Sequence, residues 1–291
     1  GSALELHAAR AEEIAERIPD ASIQWNSIVY RAWLAGVRGN PTEYEELAEV
    51  ALQVGLEGGQ PDAFAMYGAQ LLGVRFIEGR LHELVAFIEQ GIAENPGISA
   101  YRGGLALALA AGGDVDAARK VLDEAFERGF DTGEPMTWSL AMACWAEAAV
   151  RTDAIEAASV LREALARYHA QIVTNGNTFL PSVAHHLGRL DHLLGDHAVA
   201  EEWFAEALEL HCRVGSPFLM GQTEAALAAL LADRGGDVEQ AVAELVAGQA
   251  PVHAEEAGRQ DAAVVAERLV EVLPTVLKGR LVPEPALDAD R

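Results

Sequence analysis

Lysine is almost missing from this sequence: of 291 residues only Lys120 and Lys278 carry that side chain. Forty-five acidic side chains face 21 basic ones, for a formal net charge of −24. Nucleic-acid binding needs stripes of Lys and Arg that displace counterions from phosphates. No such stripe occurs, and the overall field repels DNA, RNA and anionic lipid. Neither a nucleic acid nor a membrane is therefore expected as a partner; the acidity reads first as a means of keeping the chain soluble and, in the sharper reading, as a match for a basic partner. Cysteine is as scarce. Cys144 and Cys212 sit singly inside apolar helical patterns, with no CxxC pair and no disulfide framework. This predicts a reducing, cytoplasmic setting. No apolar run approaches the roughly 18 residues of a membrane span, and no basic, apolar leader opens the chain. The opening Gly1-Ser2 reads as a cloning remnant, so the chain is expected to be a piece of a longer protein.

What is abundant is apolar surface, 51% of residues, spaced at the 3.6-residue period of helices. Two-residue alternation is absent, and no segment reads as a strand. The clearest unit is LGRLDHLLGDHAVAEEWFAEALEL, residues 187–210. Gly188 and Ala200 are small enough for two helices to cross closely. Gly195 is the turn between them, Asp196 a candidate N-cap, and Phe204 the knob. Comparable units place Leu47, Leu84, Ala118, Ala157, Ala200 and Ala241 at equivalent positions, 34 to 43 residues apart. A tetratricopeptide (TPR) repeat has a period of about 34 residues.

The spacing predicts an all-α fold: a TPR-like helix-turn-helix solenoid, a right-handed superhelix of about 14 helices. A single repeat domain covers 3–274. A first helix spans 3–18, ended by Pro19. Six pairs follow at about 22–57, 62–94, 98–129, 135–170, 178–213 and 217–249, then a last helix at 258–274. The tail, 275–291, has little to bury. Helix 136–150 is nearly all apolar and should lie deep. Its one charge, Glu147, is expected to pair with Arg151 a turn away. The run Thr174–Thr178 reads as a surface connection.

The stretch 201–241, EEWFAEALELHCRVGSPFLMGQTEAALAALLADRGGDVEQA, resembles the C-terminal helical repeats of large bacterial signalling proteins. These join such repeats to an AAA-like or STAND ATPase. One branch adds a LuxR-type DNA-binding helix-turn-helix, and another, actinobacterial, a class III cyclase domain. The stretches 60–90, 135–148 and 181–197 are most similar to the cyclase branch. The resemblance covers roughly 25–273. It implies a non-catalytic module that senses or docks something, and biases catalytic domains elsewhere. A GxxxxGK[ST] loop, paired metal-binding aspartates and a terminal helix-turn-helix are all missing, so no catalytic residue carries over.

Chemistry within the chain is thin. His185 and His192 share a helix face, but no HExxH-like set occurs, and the histidines read as groove or surface residues, not metal ligands. Ser182 with His185 lacks a nucleophile elbow. No catalytic residue, metal or cofactor is expected. The candidate groove comes instead from the first helix of each pair: Asn26, Tyr30, Trp33, Gln70, Met142, His185, Arg189 and His192. Tyr, Trp, Arg and Met are the types that carry interface energy. The leading reading is a protein- or peptide-binding module, its partner expected among the upstream domains of its own chain. The alternative is a free-standing module holding a small molecule, sugar or peptide; an α/α enzyme ranks third.

Overall fold

The computed structural model describes residues 3–235, apart from 19, 96, 99 and 131–134. The expected end at Pro19, the second helix of the sixth pair, the helix at 258–274 and the tail lie outside the described residues. The chain divides into two compact units, residues 1–223 and 224–291. Of the second, only the end of one helix is described.

The described residues are overwhelmingly helical. After α1 (Ala3–Arg17) come five helix pairs: α2 (Ala21–Val37) with α3 (Pro41–Glu57), α4 (Ala63–Ile77) with α5 (Val85–Glu94), α6 (Ala100–Ala111) with α7 (Val115–Glu127), α8 (Trp138–Arg151) with α9 (Ile155–Ala166), and α10 (Val183–Leu194) with α11 (His197–Val214). A 3₁₀ turn, Leu81–Leu84, leads into α5, and α12 (Pro217–Asp233) follows the last pair. Twelve α-helices are thus described, against about 14 expected over the whole chain.

Local chemistry explains the boundaries. The Asp20 carboxylate accepts the main-chain N–H groups of Ser22 and Ile23 at 2.9 and 3.1 Å, capping α2. Asn40 caps α3 through Glu43 N–H, with Pro41 pre-set at the first helical position. Asp114 caps α7 through Ala117 N–H. Asp196 stands at the expected N-cap of α11, but its side chain makes no cap bond; it accepts Arg162 instead, at 3.0 Å. Gly195 ends α10 at φ +85°, a backbone angle that side-chain-bearing residues rarely adopt. In the fourth pair the equivalent turn is made by Asp153 at φ +50°.

Within the first unit, consecutive helices pack. The second helix of a pair also meets the first helix of the next (α3 on α4, α5 on α6, α7 on α8, α9 on α10), and first helices touch one another, α2 on α4, α6 on α8 and α8 on α10. The close approaches fall at small residues. A Cβ at Gly188 would lie 2.6 Å from the Phe204 ring, and one at Gly103 3.1 Å from the Ala141 carbonyl. Phe204, Ala118 and Ala200 are fully buried. Burying a ring of that size contributes about 2–3 kcal/mol. Residues 140–150 of α8 are all buried, as their apolar run predicted.

The all-α class holds, but one short element departs from the reading that no segment is a strand. Between α9 and α10 lies an antiparallel hairpin, β1 (Ile172–Thr174) and β2 (Phe179–Ser182), with Val173 opposite Leu180 and Thr174 opposite Phe179. The run expected to be a surface connection is its turn. Gly176 takes φ +92° there. The Asn175 side chain accepts the N–H groups of Asn177 and Thr178, and the Thr174 hydroxyl donates to the Thr178 carbonyl at 2.7 Å. Strands of three and four residues are too short for alternation to register. Burial of Val173, Phe179 and Leu180 holds them in place.

Candidate functional site

Two buried polar centres stand out in the first unit. The first is built on α8, α10, α11 and the start of α12. Glu147 is 3% exposed, the one charge in the buried apolar run of α8. Its Oε2 accepts Arg189 Nη1 at 2.6 Å, and its Oε1 lies 3.1 Å from His186 Nδ1 and 3.9 Å from His185 Nε2. Arg151, the partner expected from sequence, comes only to 3.8 Å. Helical spacing favours that pair, but Arg189, 42 residues on, reaches the carboxylate more directly once α10 packs on α8.

Protonation follows from this geometry. Burial pushes the Glu147 carboxyl up, but the Arg189 charge, the His186 bond and the Arg151 charge together outweigh it and hold the group ionised well below the usual carboxylate range. Burial pushes His185 well below its usual value, His186 and Arg189 adding to the effect against the pull of Glu147. Burial likewise brings His211 down to about 4. It also pushes the Cys144 thiol up to about 12, Glu147 adding to the shift, so this cysteine is inert.

The Ser182 hydrogen bond determines the His211 tautomer. Ser182 N–H donates to His211 Nε2 at 2.9 Å, so that nitrogen carries a lone pair and the neutral ring is protonated at Nδ1. Thr223 Oγ1 lies 3.2 Å from His211 Nδ1, 2.8 Å from His185 Nδ1 and 3.3 Å from the Leu219 carbonyl. A hydroxyl has one proton. All three bonds form together only if it goes to Leu219, while both rings donate to the threonine oxygen. His185 is then protonated at Nδ1, and its Nε2 lone pair faces the Glu147 carboxylate. Ser182, considered above as a nucleophile, is the N-cap of α10, its hydroxyl accepting His185 N–H.

The second centre surrounds the hairpin tip. The Tyr44 hydroxyl donates to the Asn177 carbonyl at 2.7 Å, and burial raises its pKa far above the usual phenol value. Phe179 stacks on Tyr44 and meets Trp33 edge-on. Asn177 Nδ2 reaches the Met66 sulfur. A Cβ at Gly73 would lie 2.8 Å from Thr178 Oγ1, so this glycine makes room for the tip on α4. Gln70 Nε2 donates to the Val29 carbonyl at 2.9 Å. Trp33 Nε1, Gln70 Oε1 and Asn177 Oδ1 are buried without a hydrogen-bond partner in the protein.

The eight residues read from sequence as a groove fall into separate places. Asn26 is exposed and donates to the Ser22 carbonyl; Tyr30 is half-buried and stacks on Trp33 at 5.4 Å. Trp33 and Gln70 belong to the hairpin-tip centre. Met142 is buried in the α8 core. His185 and Arg189 belong to the Glu147 centre. His192 is half-buried on α10, its ring 5.5 Å from that of His197. Glu147 was singled out and its pairing with Arg151 is present at 3.8 Å, but the closer partner Arg189 was not foreseen, and His186, His211, Thr223, Asn177 and Thr178 were not assigned to the groove. Their sequence signal is weak, because each partnership crosses between elements.

No helix among the described residues is long and apolar enough to cross a membrane. Compared with models of known protein families and with curated proteins, the chain matches none.

Proposed function

We propose that this chain is a non-catalytic, TPR-like docking and sensing module of a multidomain signalling protein, and that its helix pairs form a right-handed solenoid. The observation that carries the reading is the packing order: the second helices of the first four pairs meet the first helix of the next pair, while first helices meet at α2 on α4, α6 on α8 and α8 on α10. Stacked helix-pair repeats pack in this way, and they serve as scaffolds that present a long face to a polypeptide. The acidic surface favours encounter with a basic segment. In this reading the hairpin lies along the first-helix face, with both strands against α8. It covers Trp33 and Gln70 and leaves Asn26 and Tyr30 as the accessible part of the groove. The partner proposed is a polypeptide from the upstream, catalytic part of the same protein.

The test is a binding assay between this chain and its native upstream region, expressed separately. Wild type should bind, with salt slowing association, and Tyr30→Ala should speed dissociation about tenfold. No binding at high micromolar concentration refutes the docking role. Binding that Tyr30→Ala leaves unchanged moves the site elsewhere.

A second reading, a small polar molecule held under the hairpin tip, is favoured by the three unpartnered polar atoms there. Leaving such atoms unsatisfied costs about 1–3 kcal/mol each. Native mass spectrometry of freshly purified protein decides it: a bound small molecule supports it, and the bare chain mass opposes it.

A further inference from the structure

We propose that Glu147, His185 and His186 form a binding site for one divalent transition-metal ion of the zinc class. The inference is independent of the docking role. Each of the three residues offers a ligand atom, all within 4.8 Å of one another, and all three side chains are buried. In a tetrahedral site with bonds of about 2.0–2.1 Å, neighbouring ligand atoms stand about 3.3 Å apart. The distances from Glu147 Oε1, 3.1 Å to His186 Nδ1 and 3.9 Å to His185 Nε2, bracket that value. The two imidazole rings stand perpendicular, with centroids 5.3 Å apart.

The hydrogen bonds supply a second, independent argument. Thr223 Oγ1 lies 2.8 Å from His185 Nδ1, and with the ring proton on that nitrogen a carboxylate oxygen and a nitrogen lone pair face each other across 3.9 Å. Two acceptors so placed repel unless a cation lies between them. His186 has an unmatched ring as well. With Nδ1 directed at the carboxylate, its Nε2 is fully buried and has no partner. A metal on Nδ1 needs only a shift of the ring proton to Nε2. Arg189 holds Oε2 and leaves Oε1 as the ligand atom. Metal-binding histidines are commonly oriented by a hydrogen bond at the other ring nitrogen, as Thr223 does here. Two neutral imidazoles and one carboxylate are the borderline donors that select zinc over calcium or magnesium. The charge of Arg189 offsets that of Glu147, so the site carries about the same net charge as three neutral histidines would. The sequence shows no such set, because Glu147 lies 38 and 39 residues before its partners.

The experiment titrates the EDTA-treated chain with zinc chloride by calorimetry, and with cobalt chloride by visible absorption. The expected result is one equivalent bound, with the cobalt spectrum of a four- or five-coordinate ion. Glu147→Gln and His186→Asn should abolish binding, and Thr223→Val should weaken it about 10–100-fold. The double change His192→Ala, His197→Ala, at the half-buried histidine pair, should leave it intact. No binding of either metal at millimolar concentration overturns the proposal. So does binding lost in the His192, His197 double variant but kept in His186→Asn. If the buried variants fail to fold by circular dichroism, X-ray absorption on the zinc-loaded wild type decides. Two imidazoles and a carboxylate oxygen at about 2.0–2.2 Å support the site, and any other protein ligand set overturns it.

Discussion

The Tyr44 hydroxyl donates a 2.7 Å hydrogen bond to the main-chain carbonyl of Asn177, 133 residues further on. Through it α3 holds the tip of the hairpin. Both groups are buried, so Tyr44→Phe leaves a carbonyl unsatisfied while keeping the ring stack on Phe179. It should cost about 1–3 kcal/mol. Urea denaturation should show a lower midpoint at unchanged slope, and amide exchange should speed up first around 173–180. A variant as stable as wild type would show that the bond contributes nothing.

Gly188 is where α10 crosses α11. A methyl group there would meet the Phe204 ring at 2.6 Å. Gly188→Ala should lower stability by about 1–3 kcal/mol despite the better helix propensity of alanine. Adding Phe204→Leu should recover part of that loss, because it removes the ring the methyl strikes. Thermal melts of both variants test the crossing. By contrast, His192→Ala, at a half-buried position, should cost under 1 kcal/mol.

Asp153 adopts φ +50° in the turn between α8 and α9, where the other pairs use glycine. Left-handed backbone costs a side-chain-bearing residue about 1–2 kcal/mol, less for Asp. Asp153→Gly should therefore be neutral or stabilise by up to about 1 kcal/mol, an outcome thermal melting can read directly. A clear loss would mean that the Asp153 carboxylate has a stabilising role beyond the turn.

His211 is neutral when folded, its pKa brought down by burial from 6.5 to about 4. Its Nε2 accepts Ser182 N–H, so protonation breaks that bond. The unfolded chain takes up the proton more readily. Stability is therefore fully present above about pH 6.5 and is lost as pH falls toward about 4, by on the order of 2–3 kcal/mol from this group. His185, shifted in the same direction beside Glu147, His186 and Arg189, adds to the slope. In EDTA, urea midpoints measured across this range should fall with acid. His211→Gln, whose amide oxygen can still accept Ser182 N–H, should flatten part of the dependence. An unchanged profile would refute the assignment.

Much of this was legible in the sequence because it is local. Ten helices in five pairs follow from the 3.6-residue apolar spacing, and the turn of the fifth pair from Gly195, since backbone φ depends on the residue itself. Gly188, Ala200 and Phe204 were legible as a crossing because small and large residues recur at fixed offsets.

The polar centres were not legible in that way. Glu147 offered Arg151 at helical spacing, and the chain could not reveal that α10 would bring Arg189 and His186 closer. The hairpin was hidden for a similar reason. Ile172–Thr174 and Phe179–Ser182 are too short to carry a strand signal, and what stabilises them is burial of Phe179 against Tyr44 and Trp33. Sequence by itself determined where the helices start, turn and cross, because caps, left-handed turns and amphipathic faces are properties of neighbours in the chain. Only the tertiary structure decided which buried polar groups meet, because that depends on contacts across dozens of residues whose energies no local pattern encodes.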